Sequence, residues 1–223
     1  MSQPKNAPRG GGADPPVPQA VVGRLSLYLR EVQNLLRMGR ETTSSTQLGA
    51  LLGFTDAQVR KDLAHFGPFG YPGIGYRCEE LVTAFNRILG TDQDWPIALV
   101  GFGNLGRALL GYRGFHQQGF RIAAAFDVDP AKVGTQVEGV EVYALDDLAR
   151  VAPKLGIKLA ILAVPASSAQ AVADILVRAG LRAILNFAPV TLSLPEGVGS
   201  VSVDLANELK QLTYAVVNRP TNP

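Results

Sequence analysis

Ile97-Ala98-Leu99-Val100-Gly101-Phe102-Gly103-Asn104-Leu105-Gly106 sets a continuous apolar run directly against a Gly-x-Gly-x-x-Gly loop. Four apolar residues that stop at glycine predict a buried strand, and Leu105, Ala108, Leu109 and Tyr112 then repeat at helical spacing. Strand, glycine loop and helix in that order build the turn that receives a dinucleotide. Gly101 serves the tight turn, Gly103 the approach of backbone to pyrophosphate, and Gly106 close helix–strand packing. Phe102, Asn104 and Leu105 complete the candidate cofactor loop. The next predicted strand, 122–126, runs into Asp127, near the offset at which a carboxylate takes the ribose 2′-hydroxyl. An acid there disfavours a 2′-phosphate, and Lys132 is the nearest following base, so NAD(H) is expected over NADP(H).

Strand–helix alternation continues downstream and predicts a doubly wound parallel sheet. Residues 159–164 read as a strand leading into Pro165-Ala166, followed by a helix from Ser168 to a stop at Gly180. Residues 183–187 read as another strand, and Val201-Ser202-Val203 as a last short one before Asp204. Ligands lie beyond the carboxyl ends of such strands. Val164, Pro165 and Ala166, with Asn186, Phe187, Ala188 and Pro189, are therefore candidate walls around a nicotinamide ring; core packing and loop geometry are their other role. The final helix carries Leu205, Leu209, Leu212 and Val216 as one apolar stripe, to lie on its own sheet or on another subunit.

Upstream, Val21, Val22, Leu25, Tyr28, Leu29, Val32, Leu35 and Leu36 repeat at helical spacing up to Gly39. Ser44-Ser45-Thr46-Gln47 and Thr55-Asp56-Ala57-Gln58 each pair an N-cap hydroxyl with glutamine three residues on, opening two short helices around Gly53-Phe54. That is a helix-turn-helix pattern. With Val59, Leu63 and Phe66 turned inward, Arg60 and Lys61 project from the opposite side. Arginine there suits a guanine edge, and lysine a phosphate or a base. Ser44, Ser45 and Thr46 are placed to hold a phosphate as well as to cap, and Gln58 either caps or reaches a base. Dense glycine and proline from Gly67 to Gly75, with interleaved aromatics, predict a small β-hairpin with Tyr71 near its tip, or an ordinary loop. Glu79-Glu80 open a further helix to Gly90, and 91–96 form a polar linker.

The run Arg60-Lys61-Asp62-Leu63, then Phe66-Gly67-Pro68-Phe69-Gly70 and Gly73-Ile74-Gly75-Tyr76, resembles the Rex family of redox-sensing transcriptional repressors over nearly the whole chain. The resemblance implies an N-terminal winged helix-turn-helix followed by a Rossmann-like sheet, with a C-terminal helix exchanged in a homodimer. It implies release from palindromic, double-stranded operator DNA when NADH binds, with NAD⁺ as the competing ligand. It also implies coupling of the two parts through Arg24, Tyr112 and Asp204, with Arg24 and Asp204 pairing in one state. The expected organisation is a disordered tail (1–17), a winged-helix domain (18–78), a connecting helix and linker (79–96), an NAD(H)-binding domain (97–204) and a dimerisation helix with its tail (205–223).

Composition agrees with a folded regulator. The 223 residues are 47% hydrophobic, with a mean hydropathy of +0.13, so disorder throughout is excluded. No apolar run approaches the roughly 18–20 residues of a membrane span, and the N-terminus lacks a signal-peptide core. A lone cysteine, Cys78, forms no intrachain disulfide or zinc cluster, which suits a reducing cytoplasm; no metal site is expected. Net charge is +2 overall, yet between Val17 and Cys78 seven basic residues face four acids, a mild footprint for nucleic acid. An NAD-dependent oxidoreductase is the competing class. It is disfavoured because only a helix and tail follow Asp204, and because neither His65 nor His116 has an evident carboxylate partner. A CoA-binding module and a DNA-binding protein with a vestigial Rossmann fold are further alternatives.

Overall fold

The computed structural model describes residues 17–218; the tail expected over 1–17 lies almost wholly outside the described residues. The chain divides into two units between Asp92 and Gln93.

In the first unit, α1 (Gln19–Arg37) buries Val21, Leu25, Tyr28, Leu29, Val32 and Leu35, the stripe that the heptad-like spacing requires. After a two-residue strand β1 (Thr42–Thr43), Ser44 caps α2 (Ser45–Leu52) by accepting from the Gln47 amide, and Thr55 caps α3 (Asp56–Ala64) by accepting from the Gln58 amide. Gly53 closes α2 in the left-handed conformation, φ 74°. Of the expected inward stripe on α3, Val59 and Leu63 are buried within the helix; Phe66 lies beyond its end and is only partly buried against the same core. Strands β2 (Gly70–Tyr71) and β3 (Gly75–Arg77) form the hairpin, and β1 adds a third antiparallel strand in the order β1-β3-β2. The helix α4 (Cys78–Leu89), read from sequence as a connector, is part of this unit's core: Leu81 and Phe85 are fully buried with Leu25, Tyr28 and Val32.

The second unit opens with β4 (Trp95–Val100), which takes in two residues assigned above to a polar linker. Then follow α5 (Asn104–Leu110), α6 (Gly114–Gln117), β5 (Phe120–Asp127), β6 (Gln136–Val137), β7 (Val140–Ala144), a 3₁₀ turn over Leu145–Asp147, α7 (Leu148–Lys154), β8 (Leu159–Leu162), α8 (Ala166–Arg178), β9 (Ala183–Asn186), β10 (Gly199–Ser202) and α9 (Leu205–Val217). Strand order is β10-β9-β8-β4-β5-β7-β6, parallel throughout except that β6 runs antiparallel to β7. Period-two alternation explains the continuous apolar run. Ala98 and Val100 join Phe126, Leu162 and α8 on one face, while Ile97 and Leu99 join Ile122, Ile161 and Phe102 on the other. Strand order reverses between β4 and β8, so the glycine loop and residues 163–165 meet at the switch point where such sheets bind ligands.

Candidate functional site

Helix α3 hangs on one buried carboxylate. Asp62, 1% exposed, accepts from Arg24 Nε at 2.6 Å and Nη2 at 2.8 Å, from the Tyr28 hydroxyl at 2.8 Å and from Gln58 Nε2 at 2.7 Å. Two donors come from α1 and one from α3, so the carboxylate fixes one helix on the other. Burial opposes its charge, but the hydrogen bonds from Arg24, Tyr28 and Gln58 outweigh burial and hold the Asp62 carboxyl below the usual range. Burial, then Asp62, pushes the Tyr28 phenol up. The Gln58 side-chain nitrogen is therefore engaged by Asp62, and no reciprocal capping box closes on Thr55.

The outward side of α3 matches the helical spacing. Arg60 and Lys61 are exposed. Arg60 Nη1 donates to Asp56 Oδ2 at 2.6 Å and to Ser45 Oγ at 3.2 Å, and Arg60 holds the Asp56 carboxyl below the usual range. Ser44 Oγ accepts from the Gln47 amide at 3.1 Å, Ser45 is buried, and Thr46 is exposed on the first turn of α2. In the hairpin, Tyr71 donates to Glu80 Oε2 at 3.0 Å while the Arg77 guanidinium lies 5.1 Å over its ring.

In the second unit the glycine loop fits a dinucleotide. A Cβ on Gly101 would stand 2.3 Å from the Ala163 carbonyl oxygen, and one on Gly106 would stand 2.1 Å from that of Gly101, so strand, loop and helix close only with glycine at both. A Cβ on Gly103 meets nothing within 4 Å and would project into open space, the room a pyrophosphate needs. A cleft of about 300 Å³ is lined by Gly101, Gly103, Asp127, Lys132, Val164 and Pro165, with further apolar residues. Asp127 is 8% exposed and accepts from the Phe102 amide at 2.7 Å, the Asp129 amide at 2.9 Å and Lys132 Nζ at 3.1 Å. Burial opposes the charge, and these donors outweigh it, holding the carboxyl below the usual range. Asp127 thus ties the glycine loop to the end of β5 through its Oδ2. Its Oδ1 accepts a single hydrogen bond, leaving acceptor capacity for a hydroxyl.

Other expected residues sit differently. The Phe102 side chain is buried in the core rather than in the cleft, with Arg107 5.4 Å over its ring. Asn104 and Leu105 open α5 and are exposed; Ala166 is the first residue of α8, which starts two residues before Ser168. Asn186, Phe187, Ala188 and Pro189 do not line the cleft. Asn186 is fully buried and organises the turn after β9, accepting from the Ala188 amide and donating to the Val190 carbonyl, both near 2.8–2.9 Å. Tyr112 lies past the end of α5, 59% exposed, with Phe115 edge-on at 5.0 Å. Arg24 is engaged by Asp62, as above, and Asp204 caps α9 by accepting from the Asn207 amide at 3.0 Å. Each of the two residues expected to pair already has a partner within its own unit.

A family model described as "CoA binding domain" matches residues 92–190, and one described as "Putative DNA-binding protein N-terminus" matches 16–64. A redox-sensing transcriptional repressor Rex of Roseiflexus sp. is 47% identical, covering 88% of this chain and 90% of its own; that of Rhodopirellula baltica is 48% identical, covering 89% and 84%. The chain belongs to the Rex family. Crystal structures of RSP, a Rex-family repressor, superpose with a TM-score of 0.85 for its complex with β-NAD⁺ and operator DNA, and 0.82 for its complex with β-NADH, at 36% and 35% identity over 91% of this chain and 94–95% of RSP.

Within this Rex-family chain, the functional group that sequence reasoning missed is the Asp62 node. Its signal was present. Asp62 falls between Val59 and Leu63 on the inward face of α3, and Arg24 falls between Val21 and Tyr28 on the inward face of α1. Opposite charges placed on two apolar stripes call for each other.

Proposed function

We propose that this chain represses transcription by holding operator DNA through its helix-turn-helix and lets go when NADH fills the cleft beside the glycine loop. One observation carries this most: the RSP structures, which align over nine-tenths of both chains, contain operator DNA with NAD⁺ in one case and NADH in another. Arg60 reads a base, Lys61, Ser44 and Thr46 hold phosphate, and Tyr71 enters the neighbouring groove. Gly101, Gly103 and Asp127 receive the dinucleotide. The apolar character of Val164 and Pro165 favours the neutral reduced ring over the charged oxidised one, because burying an unpaired charge is costly. Each tenfold preference requires about 1.4 kcal/mol.

A ligand shifts a two-state equilibrium only through differential affinity for the two states. We assign that coupling to Tyr112 and Asp204, and assign Arg24 to holding the recognition helix. The face of α9 bearing Leu205, Leu209, Leu212 and Val216, each more than 60% exposed, serves a homodimer, which presents two recognition helices to a palindrome. No helix among the described residues is long and apolar enough to cross a membrane, and a repressor of this kind acts in the cytoplasm without catalysing a reaction. The test is a mobility-shift titration on palindromic operator at fixed salt. NADH should release the DNA at concentrations where NAD⁺ and CoA do not; release by CoA alone would move the cleft to the ligand class in its family model's description.

A further inference from the structure

Arg60 is already half engaged before any DNA arrives. Asp56 and Ser45, the first residues of α3 and α2, both accept from its Nη1. That nitrogen carries two hydrogens, and two acceptors use them. Of the five guanidinium donors, Nε–H and the pair on Nη2 remain, and among the described residues they make no other hydrogen bond. The end-on fork of Nη1 with Nη2 is thereby closed. The side-on fork of Nε with Nη2 is open. Guanine offers two acceptors, O6 and N7, to one such fork in the major groove.

The Asp56–Arg60 pair is too exposed, at 45% and 54%, to matter much for stability. Its effect is on orientation, and a second effect follows from charge. A carboxylate beside the DNA-facing arginine repels phosphate, which weakens binding to any sequence. Orienting the base-reading arm raises the ratio between the right sequence and all others, while the repulsion lowers binding to every sequence alike. We propose that Asp56, seconded by Ser45, is a specificity-determining residue that aims the Nε–Nη2 edge of Arg60 at guanine. The proposal rests on Arg60 reading a base.

The test uses the full chain and an operator selected by it from a randomised palindrome. Binding by Asp56→Asn, Ser45→Ala, Arg60→Ala and Asp56→Asn/Arg60→Ala is compared on that operator, on the same DNA carrying 7-deazaguanine at each guanine in turn, and on an unrelated duplex. Asp56→Asn should bind the unrelated duplex more tightly than the parent, and its operator-to-unrelated ratio should fall roughly tenfold. One deazaguanine position should weaken the parent roughly tenfold and the variant little. Without Arg60, the Asp56 change should leave the ratio alone. Ser45→Ala should lower the ratio in the same direction, and carries the test if Asp56→Asn does not fold. A parental ratio in both variants, or the same loss with and without Arg60, overturns the proposal. A parental ratio in Arg60→Ala instead removes the base-reading role on which it stands.

Discussion

Replacing Arg24 with methionine separates two roles for that residue. Methionine keeps most of the aliphatic packing of the arginine stem but withdraws both guanidinium hydrogen bonds from Asp62, leaving a carboxylate that is 1% exposed with only Tyr28 and Gln58 as donors. Removing one partner of a buried pair costs about 3–5 kcal/mol. Arg24 itself is 23% exposed, so we take the lower end, about 3 kcal/mol, as the loss in stability of the head. Native-state hydrogen exchange is the assay, because the lone tryptophan, Trp95, reports on the other unit. Amides of α1 and α3 should lose protection roughly a hundredfold, and those of β4 and β8 should not. The pH dependence has a definite sign. In the parent, the depressed Asp62 pKa contributes stability that is present above about pH 4 and lost as pH falls through the folded value. In the variant, burial acts without the cation, so the penalty should be greatest near neutrality and shrink as Asp62 takes up a proton. Parental protection of the head, combined with a blunted response to NADH, would refute this reasoning and return Arg24 to a pairing with Asp204.

Other substitutions follow from the same geometry. Gly103→Val should fill the open space beside the loop and abolish NADH binding with unfolding unchanged, whereas Gly106→Val, forced against the Gly101 carbonyl, should lower the thermal midpoint of the second unit; calorimetry and Trp95 fluorescence read the two. Asp127→Ala should weaken NADH binding and loosen the loop, since the Phe102 amide loses its acceptor, while operator affinity in the absence of cofactor stays near that of the parent. Lys61→Ala should weaken all DNA binding about equally and reduce the slope of log affinity against log salt by about one. Leu209→Glu should shift the chain towards monomer in analytical ultracentrifugation, and with it broaden half-site preference.

Local chemistry was legible where a residue acts on its own neighbourhood. Ser44 and Thr55 cap the helices they precede, Gly53 and Gly90 end helices in the left-handed conformation, and Gly101 and Gly106 stand where strand and helix demand glycine, with Gly103 facing open space. Pairing partners were harder to see. Strand β1 is two residues long and exists because β3 offers it a ladder; Thr42-Thr43 alone carry no periodicity. The hairpin β6–β7 went unread although Glu138 and Gly139, at φ 49° and 80°, are a turn pair of the kind that joins antiparallel strands. Helix α7 also went unread; it is two turns long and holds Pro153 in its last turn. At the cleft, the carboxyl ends of β4, β5 and β8 were correctly brought together; the end of β9 was placed beside them by rule, whereas Asn186 spends its polar atoms on its own turn.

Release of operator DNA by NADH is read directly from one curve. With total pyridine nucleotide and salt held constant, occupancy of a selected palindromic operator is followed by fluorescence anisotropy as NADH replaces NAD⁺. Occupancy should fall steeply as the reduced fraction rises, and the fall should be lost in Gly103→Val. A flat curve for the parent chain, at nucleotide concentrations where calorimetry shows the cleft filled, would contradict it.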